Sequence, residues 1–217
     1  MSAGQRACEI PQGCEFLDGI VQNPINRMIL DRFAMLRVKD WWLTAGCLAQ
    51  TLWNIKANRA PDADITDYDL FYFDSDTGWD AEDRLIRKGT ELFSDIPALI
   101  EIRNQARVPI WYREKFGVPY GAVRAACDGI DRFAYQTSAI GVRKQAGKHG
   151  MDAYRIYAPF GLAAVMEGRI IPNTVLPVKT VYEAKVARWQ KIWPDLVVMP
   201  WPTDDGSSET EISRCPD

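Results

Sequence analysis

The stretch ITDYDLFYFD, residues 65–74, sets two aspartates two places apart in a run that otherwise reads as a buried β-strand. Residues i and i+2 of a strand point to one face, so Asp67 and Asp69 hold their carboxylates side by side. Like charges at that spacing repel, and burying them unpaired is costly unless a cation or a positive side chain sits between them. The strand therefore asks for a partner. β-Branched and aromatic residues are dense on both of its faces, which places it inside a sheet.

Working outward, WWLTA (Trp41–Ala45) reads as a strand, Gly46-Cys47 as a turn and Leu48–Lys56 as a helix. Before them, Asn23 followed by Pro24 is a helix start, and Ile25, Met28, Ile29, Phe33 and Leu36 share one face of a helix running to about Val38. After the aspartates, a helix with Asp80, Glu82 and Asp83 in its first turns leads to the strand ALIEIR (Ala98–Arg103). Helices follow through WYREKFG, near Cys127–Tyr135, at FGLAAVMEG and over Val181–Ile192, with strands at AIGVR and YRIYA. This order specifies an α/β (α+β) fold, a mixed central sheet flanked by helices. Residues 1–20 read as poorly ordered, 21–202 as one domain with a C-terminal helical part, and 203–217 as a disordered acidic tail.

Glu101 sits between isoleucines as Asp67 and Asp69 sit among aromatics. If the two strands are neighbours, one acidic cluster results, the oxygen donor set that suits Mg²⁺ or Mn²⁺. A purely structural arrangement would instead leave the aspartates near solvent and pair Glu101 with Arg103 or Arg107. The strand, glycine and helix start around Gly46 and Cys47 present backbone N–H groups suited to an anion.

With 217 residues, 47% of them hydrophobic and 11% aromatic, the chain can bury a sizeable core. A formal charge of −3 argues against a protein that coats nucleic acid, whose phosphates demand a basic footprint. No apolar run reaches the ~20 residues that cross a bilayer, and the N-terminal residues lack a secretory pattern, so a cytoplasmic protein is expected. The five cysteines, Cys8, Cys14, Cys47, Cys127 and Cys215, form no C-x-x-C pair and are read as free thiols. His149 belongs to a surface loop by its AGKHG context. Lys185, Arg188 and Lys191 read as a solvated helix face, and Trp189, Trp193 and Trp201 as core.

Gly46-Cys47, then Asp67-Tyr68-Asp69 on a strand and Glu101 on a later one, resembles the nucleotidyltransferase superfamily with the DNA polymerase β-like fold. TLWN, ITDYDLFYFD, AEDRLI, EIRNQARV-x-x-WY, GVR, YAPFGL, PN and the late RWxxxWPxL resemble a bacterial family of largely uncharacterised nucleotidyltransferases, over most of Trp42–Trp201. The resemblance implies transfer of an NMP from NTP to a hydroxyl acceptor with loss of pyrophosphate. It makes Asp67, Asp69 and Glu101 catalytic and metal-holding. Gly46, Cys47, Arg103, Arg107 and Arg143 would bind the phosphates. The partners implied are an NTP and an acceptor, whether small molecule, protein or RNA end. Cys47 departs from the superfamily's Gly or Ser, Pro109 stands where the family often has His, and Ala163-Ala164 stand where an acid is frequent. Two rivals use the same acids: a degenerate nucleotide- or metal-binding regulatory module, and a metal-dependent phosphohydrolase.

Overall fold

Backbone hydrogen bonds order the chain as β1 (Gln5–Arg6), α1 (Gly13–Ile20), α2 (Pro24–Arg32), β2 (Trp41–Thr44), α3 (Gly46–Lys56), β3 (Asp67–Tyr72), α4 (Trp79–Leu92) and β4 (Leu99–Asn104). There follow α5 (Val108–Phe116), α6 (Cys127–Ile130), β5 (Gly141–Lys144), β6 (Tyr154–Tyr157), α7 (Ala163–Glu167), β7 (Arg169–Ile170), α8 (Lys179–Ile192) and β8 (Val197–Val198). The structure, a computed structural model, describes residues 4–203. The expected acidic tail thus falls, beyond Thr203, outside the described residues, as does Cys215.

Six strands form a mixed sheet in the order β1-β6-β5-β2-β3-β4. β3 runs antiparallel to β2 and parallel to β4, with α4 as the crossover between the parallel pair. One face carries Leu43, Leu70, Ile102, Val142 and Ile156 into the main core. α4 lies so close to β4 that a Cβ at Gly89 would displace the tip of the Ile102 side chain. On the other face, Trp42 and Phe71 meet Ala126, Ile130 and Ala139, leaving the end that bears the aspartates open. A two-stranded sheet pairs β7 with β8.

Local chemistry explains several of these elements. Asn23 caps α2 as expected, its Oδ1 accepting from the N–H groups of Ile25 (2.9 Å) and Asn26 (3.3 Å). Its Nδ2 donates to Thr51 Oγ1 at 2.9 Å and to the Tyr68 hydroxyl at 3.2 Å, tying the helix start to β3. At the other end of the chain, Trp189 and Trp193 pack edge-on against Trp53, with ring centroids 5.1 and 5.5 Å away. Trp193 Nε1 donates to Asn54 Oδ1 at 3.0 Å, so α8 is locked onto α3. Trp189 and Trp193 are core, as expected, and Trp201 is partly buried against it. Among the described residues no helix is long and apolar enough to cross a membrane.

Three expectations need correction. Residues 4–20 are not poorly ordered: β1 pairs with β6, and α1 buries Phe16, Leu17 and Ile20. Those three side chains follow the helical period, and the neighbouring α3 supplies the surface they need. Cys8 and Cys14 are not free thiols but a disulfide, because the turn between them brings their Cα atoms to 4.9 Å, within bridging range. Cys47 and Cys127 are free and buried. Helix α3 starts at Gly46 itself, and the turn residue is Ala45, at φ 68 and ψ −145. That is a backbone region glycine tolerates and an L side chain rarely adopts.

Asn104 fixes the end of β4. Its Oδ1 accepts from Asp74 N and Ala106 N, both at 3.1 Å, and its Nδ2 donates to the carbonyls of Asp74 (2.9 Å) and Asp76 (3.2 Å). The side chain is 1% exposed, so its removal strands buried partners. We expect Asn104→Ala to cost about 3 kcal/mol, from several backbone groups losing their partner at once. Urea denaturation checks it, and a loss below about 0.5 kcal/mol, the scale of an ordinary surface change, would remove the clamp from the account.

Candidate active site

Register decides which side chains meet. Across the parallel pair, Asp69 stands opposite Glu101 and Phe71 opposite Arg103, while Thr44 and Trp42 of β2 stand opposite Asp69 and Phe71. Residues in register share a face, so Asp67, Asp69, Glu101 and Arg103 all project from the open side of the sheet. Asp69, Glu101 and Arg103 line a cleft of about 580 Å³. Trp111, Tyr112 and Tyr120, from α5 and the segment after it, line the same cleft. The Tyr112 ring lies 4.5 Å from that of Tyr120 and 5.9 Å from that of Trp111, making one aromatic wall. Asp67 lines a second depression of about 510 Å³ with Thr180 and Arg188 of α8. Lys185 lines both.

The charges are under tension. Asp69 has its carboxyl pushed up to about 7, first by burial and then by the neighbouring charge of Asp67. Glu101 adds to that push, and the positive charges of Lys185 and Arg103 oppose it. Glu101 is drawn instead to Arg103, at 3.2 Å from Oε2 to the guanidinium, as the structural alternative anticipated. Among the described residues, no three His, Cys, Asp or Glu side chains gather closely enough to hold a metal ion. The donor chemistry still fits a hard cation: the acids are all oxygen donors on one face, and a dication would relieve the repulsion that raises Asp69.

The expected phosphate ligands separate. Arg103 lies in the cleft. Arg107 does not line it: its Nε lies 3.2 Å from Glu82, which does, and an Nη donates to the Gly78 carbonyl at 3.0 Å. Arg143 sits over the Trp42 ring, 4.5 Å from its centroid, and lines neither depression. Gly46 and Cys47 are buried and line neither, and the helix they open packs against the 3-10 turn Gln136–Ser138. The Cys47 thiol turns inward to the Thr44 carbonyl at 3.3 Å, and burial pushes its pKa up.

Lys185 was read as part of a solvated face. The overlooked signal is that Thr180, Ala184 and Arg188 recur every fourth residue, with Lys185 next to Ala184 and three places before Arg188, so a single helix face collects them. The aromatic wall carries WY of the family pattern, but nothing in the sequence set it opposite the acids.

A family model described as nucleotidyltransferase matches residues 31–198. Among solved structures, the chain is similar to an NMR structure described as revealing a CCA-adding enzyme head domain, with a TM-score of 0.68 and 22% identity. That match covers 86% of this chain and 95% of the other, and it shows the fold. No curated protein matches the chain.

The raised Asp69 pKa has a sign. In the unfolded chain the carboxyl ionises near 4, whereas in the metal-free fold it keeps its proton to about 7. The folded state binds the extra proton, so stability from this group is full below pH 4 and is lost as pH rises toward 7. Asp69→Asn should flatten that fall, which is at most about 1.4 kcal/mol per pH unit. Denaturation of both proteins in chelator between pH 4 and 8 reads the difference, and parallel profiles would contradict the assignment.

Proposed function

This chain belongs to the nucleotidyltransferase family, and we propose that its reaction moves an NMP from a Mg²⁺- or Mn²⁺-bound NTP to a hydroxyl acceptor, with Asp67, Asp69 and Glu101 at the reacting centre. The observation that supports this most is the register setting Asp69 opposite Glu101, with Asp67 on the same face, at the edge of a cleft. In this reading Asp67 and Asp69 are the metal's carboxylate ligands, and Glu101 joins them after leaving Arg103. When bound, the metal neutralises phosphate oxygens and lowers the pKa of the acceptor hydroxyl.

The chain's own groups do the rest. Arg103, released by Glu101, offers its forked N–H groups to phosphate oxygens. The aromatic wall of Trp111, Tyr112 and Tyr120 gives a flat ring a surface to stack on and keeps water from that side of the cleft. The acceptor oxygen bonds to the α-phosphorus, the bond to the β-phosphate bridge breaks, and the hydroxyl proton passes to solvent.

One observation favours a second reading, a nucleotide-binding module without turnover: Glu101 is already engaged by Arg103, and the acids are not gathered around a metal position. Incubation with each α-labelled NTP, Mg²⁺ or Mn²⁺ and a cell extract separates the two. Wild type should label an acceptor, chelator should stop it, and Asp69→Asn should slow it at least about a hundredfold, the scale of losing a group that stabilises transition-state charge. NTP binding without any label transferred would establish the module instead.

A further inference from the structure

The second depression is walled differently from the cleft. α8 turns Thr180, Ala184 and Arg188 toward it, with Val181 and Lys185 beside them, and Asp67 forms the opposite wall. None of its lining residues is aromatic, whereas the large cleft carries the aromatic wall. A hydroxyl, an ammonium and a guanidinium along one helix face suit a small polyanion rather than a ring.

Lys185 stands at the junction of the two spaces. Its ammonium lies 5.9 Å from the Tyr135 ring centroid and 5.4 Å from that of Trp189, so two ring faces steady the charge beside the acids. Its field reaches the Asp69 carboxyl. Among the described residues neither Lys185 nor Arg188 makes a salt bridge, which leaves both charges available to a ligand.

We propose that Thr180, Lys185 and Arg188 form the seat of the leaving pyrophosphate. The inference rests on the nucleotidyl-transfer reading and adds where the product's charge goes. As the acceptor oxygen bonds to the α-phosphorus, the bond from that phosphorus to the bridging oxygen breaks and its electron pair leaves on pyrophosphate. Lys185 meets that charge first, and Arg188 holds its far end. Asp67 across the depression repels a bare polyanion, so the seat takes pyrophosphate as its magnesium complex.

The test titrates magnesium pyrophosphate into the full chain by calorimetry. Lys185→Met keeps an unbranched side chain and removes the ammonium, and it should weaken binding about tenfold or more, the worth of one charge-assisted contact. Lys185→Arg should restore most of it, and Arg188→Gln, a change at an exposed position, should weaken it less. NMP affinity should stay the same in all three, and the KM for NTP should rise in Lys185→Met. Equal pyrophosphate affinity in wild type, Lys185→Met and Arg188→Gln, with unchanged thermal melts, overturns the seat. If wild type still transfers label in that case, nucleotidyl transfer stands without it. If wild type neither transfers label nor binds magnesium pyrophosphate, both readings fall.

Discussion

Everything at the open face follows from the pairing of β3 with β4, which sets Asp69 against Glu101 in parallel strands with Asp67 two residues away. Burial and the neighbouring charges of Asp67 and Glu101 raise the energy of ionised Asp69, and a fold that served stability alone would separate them. The chain offsets the repulsion with two cations of different origin, Arg103 from the same sheet and Lys185 from a helix more than a hundred residues later. α8 can supply Lys185 only because Trp189 and Trp193 anchor it on Trp53 and Asn54. The C-terminal helix is thereby part of the electrostatics of β3.

The same logic assigns work to the short motifs that carry the family resemblance. Glu82 of AEDRLI accepts from Asn104 N at 2.9 Å and pairs with Arg107, both in EIRNQARV. TLWN meets RWxxxWP through the Asn54–Trp193 hydrogen bond and the tryptophan cluster. Asn173 of PN donates to the Asp131 carbonyl at 2.8 Å. These residues hold β4, α8 and the loop at 131–135 in place around the acids, and Glu82 and Asn104 also line the cleft. The motif set thus builds scaffold and cleft wall together, as with Asn104, which clamps the end of β4 and lines the cleft.

How much of this the sequence carried depends on the range of the interaction. ITDYDLFYFD revealed its strand and its acidic face because side-chain alternation is local, and the position of Glu101 in ALIEIR was enough to place it on the same face once the strands paired in register. The Asn23 cap was legible for the same reason. What failed was non-local. α1 becomes a helix by packing on α3, α3 in turn meets the turn at 136–138, and Arg107 is claimed by Glu82 from another element. Lys185 looked solvated because its partners, Tyr135 and Asp69, come from distant segments. Family membership supports NMP transfer as the activity.

The central claim is that Asp67, Asp69 and Glu101 form one metal-holding centre when nucleotide binds. The most direct measurement is a crystal structure with Mn²⁺ and a non-hydrolysable NTP, with manganese located by its anomalous scattering. The account predicts manganese within roughly 2.0–2.4 Å of carboxylate oxygens of Asp67 and Asp69, the range for hard divalent cations, with Glu101 turned from Arg103 toward it. Nucleotide bound with the Glu101–Arg103 pair intact and manganese away from both aspartates would contradict it.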